Sequence, residues 1–169
     1  MYEIIPSRRI PAKIRKIKNI VIHCTATAPN TSFAHIIHYW RDVLGWSKAG
    51  YHYAITAKGD ILQLAQEHEI VNGVKGHNLE SIHVAYVGGR VMEGIYVDTR
   101  TPQQKEKLVL LLRSLLVTYP NAKILGHRDL SPDINGNGII EQSEWIKECP
   151  LFNAGVEYKD LKQHEGKQL

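Results

Sequence analysis

Residues 19–23 read Asn-Ile-Val-Ile-His, and how that run is read decides the fold. Three β-favouring apolar residues, preceded by basic residues and ended by a polar one, describe a short, mostly buried strand. Two further runs fit the same description. Residues 82–87 (IHVAYV) close on Gly88-Gly89, and Lys123–Gly126 (KILG) delivers His127. Residues 51–56 and 61–64 flank Ala57-Lys58-Gly59-Asp60, a glycine-containing turn that predicts a hairpin.

Helical periodicity fills the intervals. Ala28-Pro29-Asn30-Thr31-Ser32 is turn chemistry, in which Thr31 or Ser32 can cap the helix that follows. Over residues 33–44, Phe33, Ile36, Ile37, Trp40, Val43 and Leu44 recur at three- and four-residue steps, the mark of an amphipathic helix. Gly45 and Gly50 end it. Thr101-Pro102 opens a second helix, proline being tolerated in the first turn. It runs to about residue 119 with Leu108, Leu111, Leu112, Leu115 and Leu116 on its apolar face, and Pro120 stops it. Strands and helices interleave without an internal repeat. That pattern predicts an α/β fold: a central mixed β-sheet flanked by helices.

Composition bounds the rest. With 169 residues, 43% hydrophobic and 22% charged, the chain has the make-up of an ordinary globular domain and enough length for one well-packed core. The expectation is a single domain over 1–169, with its core at about 18–153, a basic N-terminal arm at 1–17 and a polar C-terminal tail at 158–169. Net charge is +4. The densest basic run, residues 8–18 (RRIPAKIRKIK), reads as a solvated arm or as attraction to an anionic polymer. Two cysteines exclude a disulfide framework. The first thirteen residues lack the apolar stretch of a signal peptide. The longest apolar run, residues 108–112, is far short of the roughly 18 residues of a membrane span.

The chemistry lies in three distant segments: VIHCTAT around His23, LGHRDLSP around His127, and IKECP around Cys149, with Lys147 two residues before the cysteine. His23 ends one strand and His127 follows another, so both can leave the same edge of the sheet, and Cys149 can fold back over them. Imidazole nitrogen and thiolate sulfur are ligands that zinc takes readily. Three protein ligands leave a fourth position for water, the catalytic arrangement. Taken singly, a strand-end histidine is more often a hydrogen-bonded core residue, and a lone cysteine a small buried hydrophobe. Cys24 keeps that reading, because alternation turns it from the face His23 uses. His35, His38, His52, His68, His77, His83 and His164 carry no motif of their own.

A second pattern lies between His127 and Cys149. Residues 133–144 fit the calcium-loop signature D-x-[DN]-x-[DN]-G-x5-E at every position. Asp133, Asn135 and Asn137 would supply side-chain oxygens, Ile139 a backbone carbonyl, Glu141 a water-mediated contact and Glu144 a bidentate carboxylate. The alternative is an Asn-Gly turn feeding a helix at 142–148. Pro132 argues against a regular entering helix. Two asparagines where aspartates could stand lower the ligand charge. The expected architecture thus carries an EF-hand-like calcium loop inserted before the last zinc ligand, and Ca²⁺ there would aim Lys147 and Cys149.

Six stretches, IVIHCTAT, GYHYAIT, SIHVAYVGG, TPQQKEKLVLLL, GHRDLSP and KECP, occur in an order that resembles the zinc-dependent N-acetylmuramoyl-L-alanine amidases. That family includes amidase-type phage lysozymes and peptidoglycan recognition proteins, and the resemblance spans residues 20–152. It implies Zn²⁺ on His23, His127 and Cys149. It also implies a catalytic tyrosine at Tyr51 and a catalytic lysine at Lys147. Several phage relatives have a histidine shortly before a Lys-Gly pair, where this chain has Gly73-Val74 before Lys75-Gly76, with His77 following.

The implied reaction is hydrolysis of the amide joining N-acetylmuramic acid to L-alanine in bacterial peptidoglycan. A phage or prophage endolysin fits best. It would be a monomer, without nucleic-acid partners or membrane insertion, made in the cytoplasm and reaching the wall through a separate export or pore system. A cytoplasmic muropeptide-recycling amidase is the rival enzyme. A non-catalytic wall-binding or polymerase-regulating domain is the rival of another class.

Overall fold

The computed structural model describes residues 15–161. Its sheet has five strands: β1 (Asn19–Cys24), β2 (Tyr53–Ile55), β3 (Ile61–Gln63), β4 (Ser81–Tyr86) and β7 (Lys123–Gly126). The order is β3-β2-β4-β1-β7. β1 runs parallel to both β4 and β7, β2 runs parallel to β4, and only β3 is antiparallel, as the hairpin partner of β2. The sheet is therefore mixed, as the sequence predicts. A separate exposed hairpin, β5 (Arg90–Met92) with β6 (Ile95–Tyr96), follows the Gly88-Gly89 pair and has no counterpart in the sequence expectations.

Alternation along β1 and β4 sorts the two faces of the sheet. Ile20 and Ile22 with Ile82 and Val84 join Leu108, Leu112 and Leu115 of helix α2 (Pro102–Thr118) in the main core. The opposite face carries Val21, His23 and His83, all at most 1% exposed. The helix starts at Thr101-Pro102 as expected, and its cap is a capping box. Gln104 N–H donates to the Thr101 hydroxyl (3.1 Å), and Thr101 N–H donates to Gln104 Oε1 (3.0 Å). The Gln104 amide also donates to the carbonyls of Ile55 and Val87, at 3.0 and 2.9 Å. One buried side chain thereby fixes the helix start against two strands.

The first helix departs from expectation. α1 (Phe33–His38) is capped by Ser32, but residues Tyr39–Val43 continue as a π-helical turn closed by Leu44 N–H to Tyr39 C=O. The wider turn breaks the three-and-four stripe. Ile36 and Trp40 are buried, while Ile37, Val43 and Leu44 stand 43%, 63% and 40% exposed.

A short third helix, α3 (Ala154–Glu157), leads into Tyr158, which lies in the core with its hydroxyl accepting from Arg100 at 2.8 Å. The chain therefore stays packed at the residue where a polar tail is expected to begin. Arg15, assigned by sequence to the basic arm, donates to the carbonyls of Glu67 (2.6 Å) and Asn78 (2.8 Å). The remainder of the arm, 1–14, and of the tail, 162–169, lies outside the described residues. Among those described, no helix is long and apolar enough to cross a membrane.

Leu112 is fully buried between helix and sheet. Leu112→Ala should cost ~2–5 kcal/mol of stability, read as a shifted urea midpoint with an unchanged slope. A loss under about 1 kcal/mol would contradict this placement of the core.

Candidate metal centre

The parallel register of β1 with β7 sets Ile22 opposite Gly126. The next residues, His23 still within β1 and His127 just past β7, lie side by side. Their ring centroids are 4.9 Å apart and their Nδ1 atoms 3.1 Å apart. The 3₁₀ turn His127–Leu130 begins here, and Asp129 steadies it by accepting from Gly126 N–H at 2.7 Å.

Cys149 arrives from the far side of the 133–148 loop and is fastened by backbone contacts. Arg128 N–H donates to the Cys149 carbonyl (2.9 Å), and the Tyr86 hydroxyl donates to the Pro150 carbonyl (2.8 Å). Gly126 makes this approach possible, since a Cβ there would fall 2.5 Å from Pro150 Cδ. Cys24 N–H then donates to Cys149 Sγ at 3.2 Å. Each of His23, His127 and Cys149 thus offers one donor atom, all within 4.8 Å of one another. Two imidazoles and one thiol so spaced suit a tetrahedral cation with a fourth position left open.

Burial sets the electrostatics. It holds His23 well below the usual histidine pKa, aided by neighbouring His83 and His127 and by the Lys147 charge. It lowers His127 to about 4, again with Lys147 contributing. Both rings are therefore neutral near pH 7, with lone pairs free for a metal. Burial pushes the Cys149 thiol up, so a metal binding there must displace its proton.

Lys147 is solvent-exposed, yet its charge is felt at both histidines. Tyr51 sits just before β2 rather than within a strand. Its ring centroid is 5.0 Å from that of His23, with Trp40 edge-on at 5.3 Å. Burial first, and then nearby Cys149, raise the phenol pKa, so Tyr51 stays protonated. A cleft of ≈ 380 Å³ is lined by Tyr96, Asp98, Arg128, Trp145 and Glu148 among others, Arg128 and Glu148 being the chain neighbours of His127 and Cys149. The Arg128 guanidinium stacks 4.1 Å over the Trp145 ring.

The acidic loop closes on its own backbone. Asp133 accepts from Gly136 and Gly138 N–H, both at 2.7 Å. Asn135 accepts from Asn137 N–H and Asn137 from Ile139 N–H. The Glu144 carboxylate accepts from Ile134, Asn135 and Glu141 N–H at 2.8–3.0 Å, and those backbone donors hold its pKa down. In place of the helix considered for 142–148 there is only a 3₁₀ turn, Gln142–Glu144.

Sequence reasoning passed over His83 and His52. His83 Nδ1 lies 3.0 Å from His23 Nε2, and His83 N–H donates to His52 Nδ1 at 3.0 Å. The available signal was a polar residue inside a wholly buried apolar strand, which requires a partner. Gly73 packs directly on the His83 ring, whereas His77 lies near Glu80 in a more open position.

Residues 13–145 match the family profile described as N-acetylmuramoyl-L-alanine amidase, a span that stops short of Lys147 and Cys149. The endolysin of Enterobacteria phage K11 is 33% identical over 143 residues, 84% of this chain and 93% of that protein. An uncharacterized Haemophilus influenzae protein is 46% identical over 86 residues, 51% of this chain and 74% of its own. Among solved structures, the N-acetylmuramoyl-L-alanine amidase LysC from Clostridium intestinale aligns with a TM-score of 0.63 at 27% identity. That alignment covers 88% of this chain and 85% of LysC.

His52 provides a test of the burial. It is fully buried, its Nε2–H donates to the Glu69 carbonyl at 3.1 Å, and burial lowers its pKa to about 4. The unfolded chain, with a histidine pKa near ~6.5, binds more protons between pH ~6.5 and ~4. Stability is therefore fully present above pH ~6.5 and falls as pH drops through that window. Melting of metal-free protein should show this decline, to which buried His23, His83 and His127 also contribute, and His52→Gln should make it shallower. A melting temperature unchanged between pH 7 and 5 would contradict the burial.

Proposed function

The chain belongs to the N-acetylmuramoyl-L-alanine amidase family, and from that we propose a zinc-dependent endolysin, with Zn²⁺ held by His23, His127 and Cys149. The family activity is hydrolysis of the amide between N-acetylmuramic acid and L-alanine in peptidoglycan. The observation that carries the zinc reading is the convergence of two neutral imidazoles and one thiol within 4.8 Å at the carboxyl ends of β1 and β7. Similarity to phage endolysins supports action on the cell wall, and the proposal adds a monomer that reaches the wall through a separate export or pore system.

When bound, zinc supplies Lewis acidity, polarising a carbonyl and making water nucleophilic near neutral pH. The chain's own residues do the remainder. His23 and His127 present unprotonated nitrogens, and Cys149 gives up its proton on binding. The Lys147 ammonium stabilises negative charge developing on the scissile carbonyl oxygen. Tyr51 keeps its proton and offers a hydrogen-bond donor at the same centre. The cleft formed by Arg128, Trp145 and Glu148 receives the peptide side of the substrate, which carries the charged and amide groups that such a lining can bind.

Purified sacculi should yield new N-terminal alanine in proportion to enzyme carrying about one zinc. Cys149→Ala should lose both the metal and the activity. Lys147→Ala should keep the zinc and lose ~10²–10³-fold in kcat, the usual effect of removing one oxyanion donor. Cleavage of soluble muropeptides but not of sacculi would contradict the endolysin, and full activity in Cys149→Ala would contradict the metal centre.

The same reading assigns Ca²⁺ to Asp133, Asn135, Asn137, Ile139 and Glu144. Support comes from the full match to the loop signature and from a Glu144 carboxylate kept ionised by backbone donors. Calcium should raise the melting temperature of zinc-loaded protein, and Glu144→Gln should abolish that rise. If a calcium-selective chelator leaves the melting curve of the zinc-loaded protein unmoved, the loop is purely structural.

A further inference from the structure

We infer that His83 is a positioning residue of the metal site: it accepts the Nε2–H of His23 and so fixes the tautomer in which His23 Nδ1 faces the metal. The inference rests on the zinc reading above and deepens it.

Proton bookkeeping carries the argument. His23 Nδ1 is the nitrogen that faces the other ligands, 3.1 Å from His127 Nδ1 and 3.8 Å from Cys149 Sγ. A neutral imidazole has one N–H, so a lone pair on Nδ1 requires the proton on Nε2. That nitrogen lies 3.0 Å from His83 Nδ1, with both residues at most 1% exposed. His83 Nδ1 must then be the acceptor, and the proton of His83 sits on its own Nε2. Ligating histidines commonly donate their second nitrogen to a carboxylate, a carbonyl or water. Here a second imidazole takes that place.

The surroundings hold His83 in this role. Its main chain is clamped on both sides: its N–H donates to His52 Nδ1 at 3.0 Å, and its carbonyl accepts from His52 N–H at 2.9 Å. The His52 ring stacks on it at 6.0 Å and 9°. Gly73 leaves the space that the ring occupies. A Cβ at that position would lie 2.3–2.5 Å from Nδ1, Cγ and Cε1 of His83. His83 Nε2 is buried without a hydrogen-bond partner among the described residues. An aromatic or aliphatic filler between Ile82 and Val84 would avoid that cost. What the imidazole adds over such a filler is the acceptor at Nδ1.

Two measurements test this. Long-range ¹H–¹⁵N NMR on metal-free wild type reads each tautomer directly. The proton should be on Nε2 in both His23 and His83, and a proton on His23 Nδ1 overturns the inference. Zinc affinity by chelator competition at fixed pH then compares wild type, His83→Phe and His83→Asn. The asparagine amide oxygen can accept where Nδ1 does. His83→Phe should bind zinc ~10–100-fold more weakly, and His83→Asn should recover most of the affinity. Equal affinity in His83→Phe, or an equal loss in both variants, overturns the positioning role while leaving the metal site standing. A wild type that binds no zinc sinks the metal reading and this inference with it. If His83→Phe does not fold, the tautomer measurement and the affinity of His83→Asn decide.

Discussion

Two histidines 104 residues apart meet because β1 and β7 pair in parallel with Ile22 opposite Gly126. That register is the constraint on which the rest of the site depends. It is set by the far face of the sheet, where Ile20, Ile22, Ile82 and Val84 lock against the leucines of α2. A slip of one residue would turn those side chains onto the buried histidine face and His23 into the apolar core, so the core enforces the geometry of the centre. The helix that looks remote from the chemistry therefore positions it.

The third ligand obeys a different logic. No strand carries Cys149; main-chain hydrogen bonds from Arg128 and Cys24 and the close approach allowed by Gly126 seat it at the carboxyl ends of the strands. Crevices there are the usual ligand sites of α/β sheets. Burial then tunes each group: it strips the proton from imidazoles and keeps it on the thiol and the phenol. A dication reverses the thiol's preference, so ligand deprotonation is coupled to metal occupancy. The outer imidazoles of His83 and His52 lie in the same buried layer, tied to the backbone of β4 and of the segment leading into β2. Folding and orientation of the site are thus one process.

Much of this was legible in the sequence, unevenly. The strands at residues 19, 82 and 123 and the helix after Thr101-Pro102 announce themselves through short apolar runs, leucine spacing and a first-turn proline, all local signals. The ligands did not. Strand ends and ligand chemistry could nominate His23, His127 and Cys149 as a set, but resemblance to a family was needed to prefer it over three separate core residues, because convergence of distant segments has no local signature. The π-turn at 39–43 escaped because a stripe of apolar residues does not reveal a change in residues per turn. His83 escaped because a single polar residue in a strand gives no hint of its partner until the register with β1 is known. The 133–144 signature was plain as a pattern, yet its side chains turn to backbone amides, a choice that the pattern does not encode.

The central claim is that one zinc is held by two imidazoles and one thiolate drawn from three segments. X-ray absorption at the zinc edge of the loaded protein tests it most directly. The account predicts a single sulfur at about 2.3 Å and two imidazole nitrogens at about 2.0–2.1 Å, with one further light-atom ligand. A shell without sulfur, or one with two sulfurs that brought in Cys24, would contradict it.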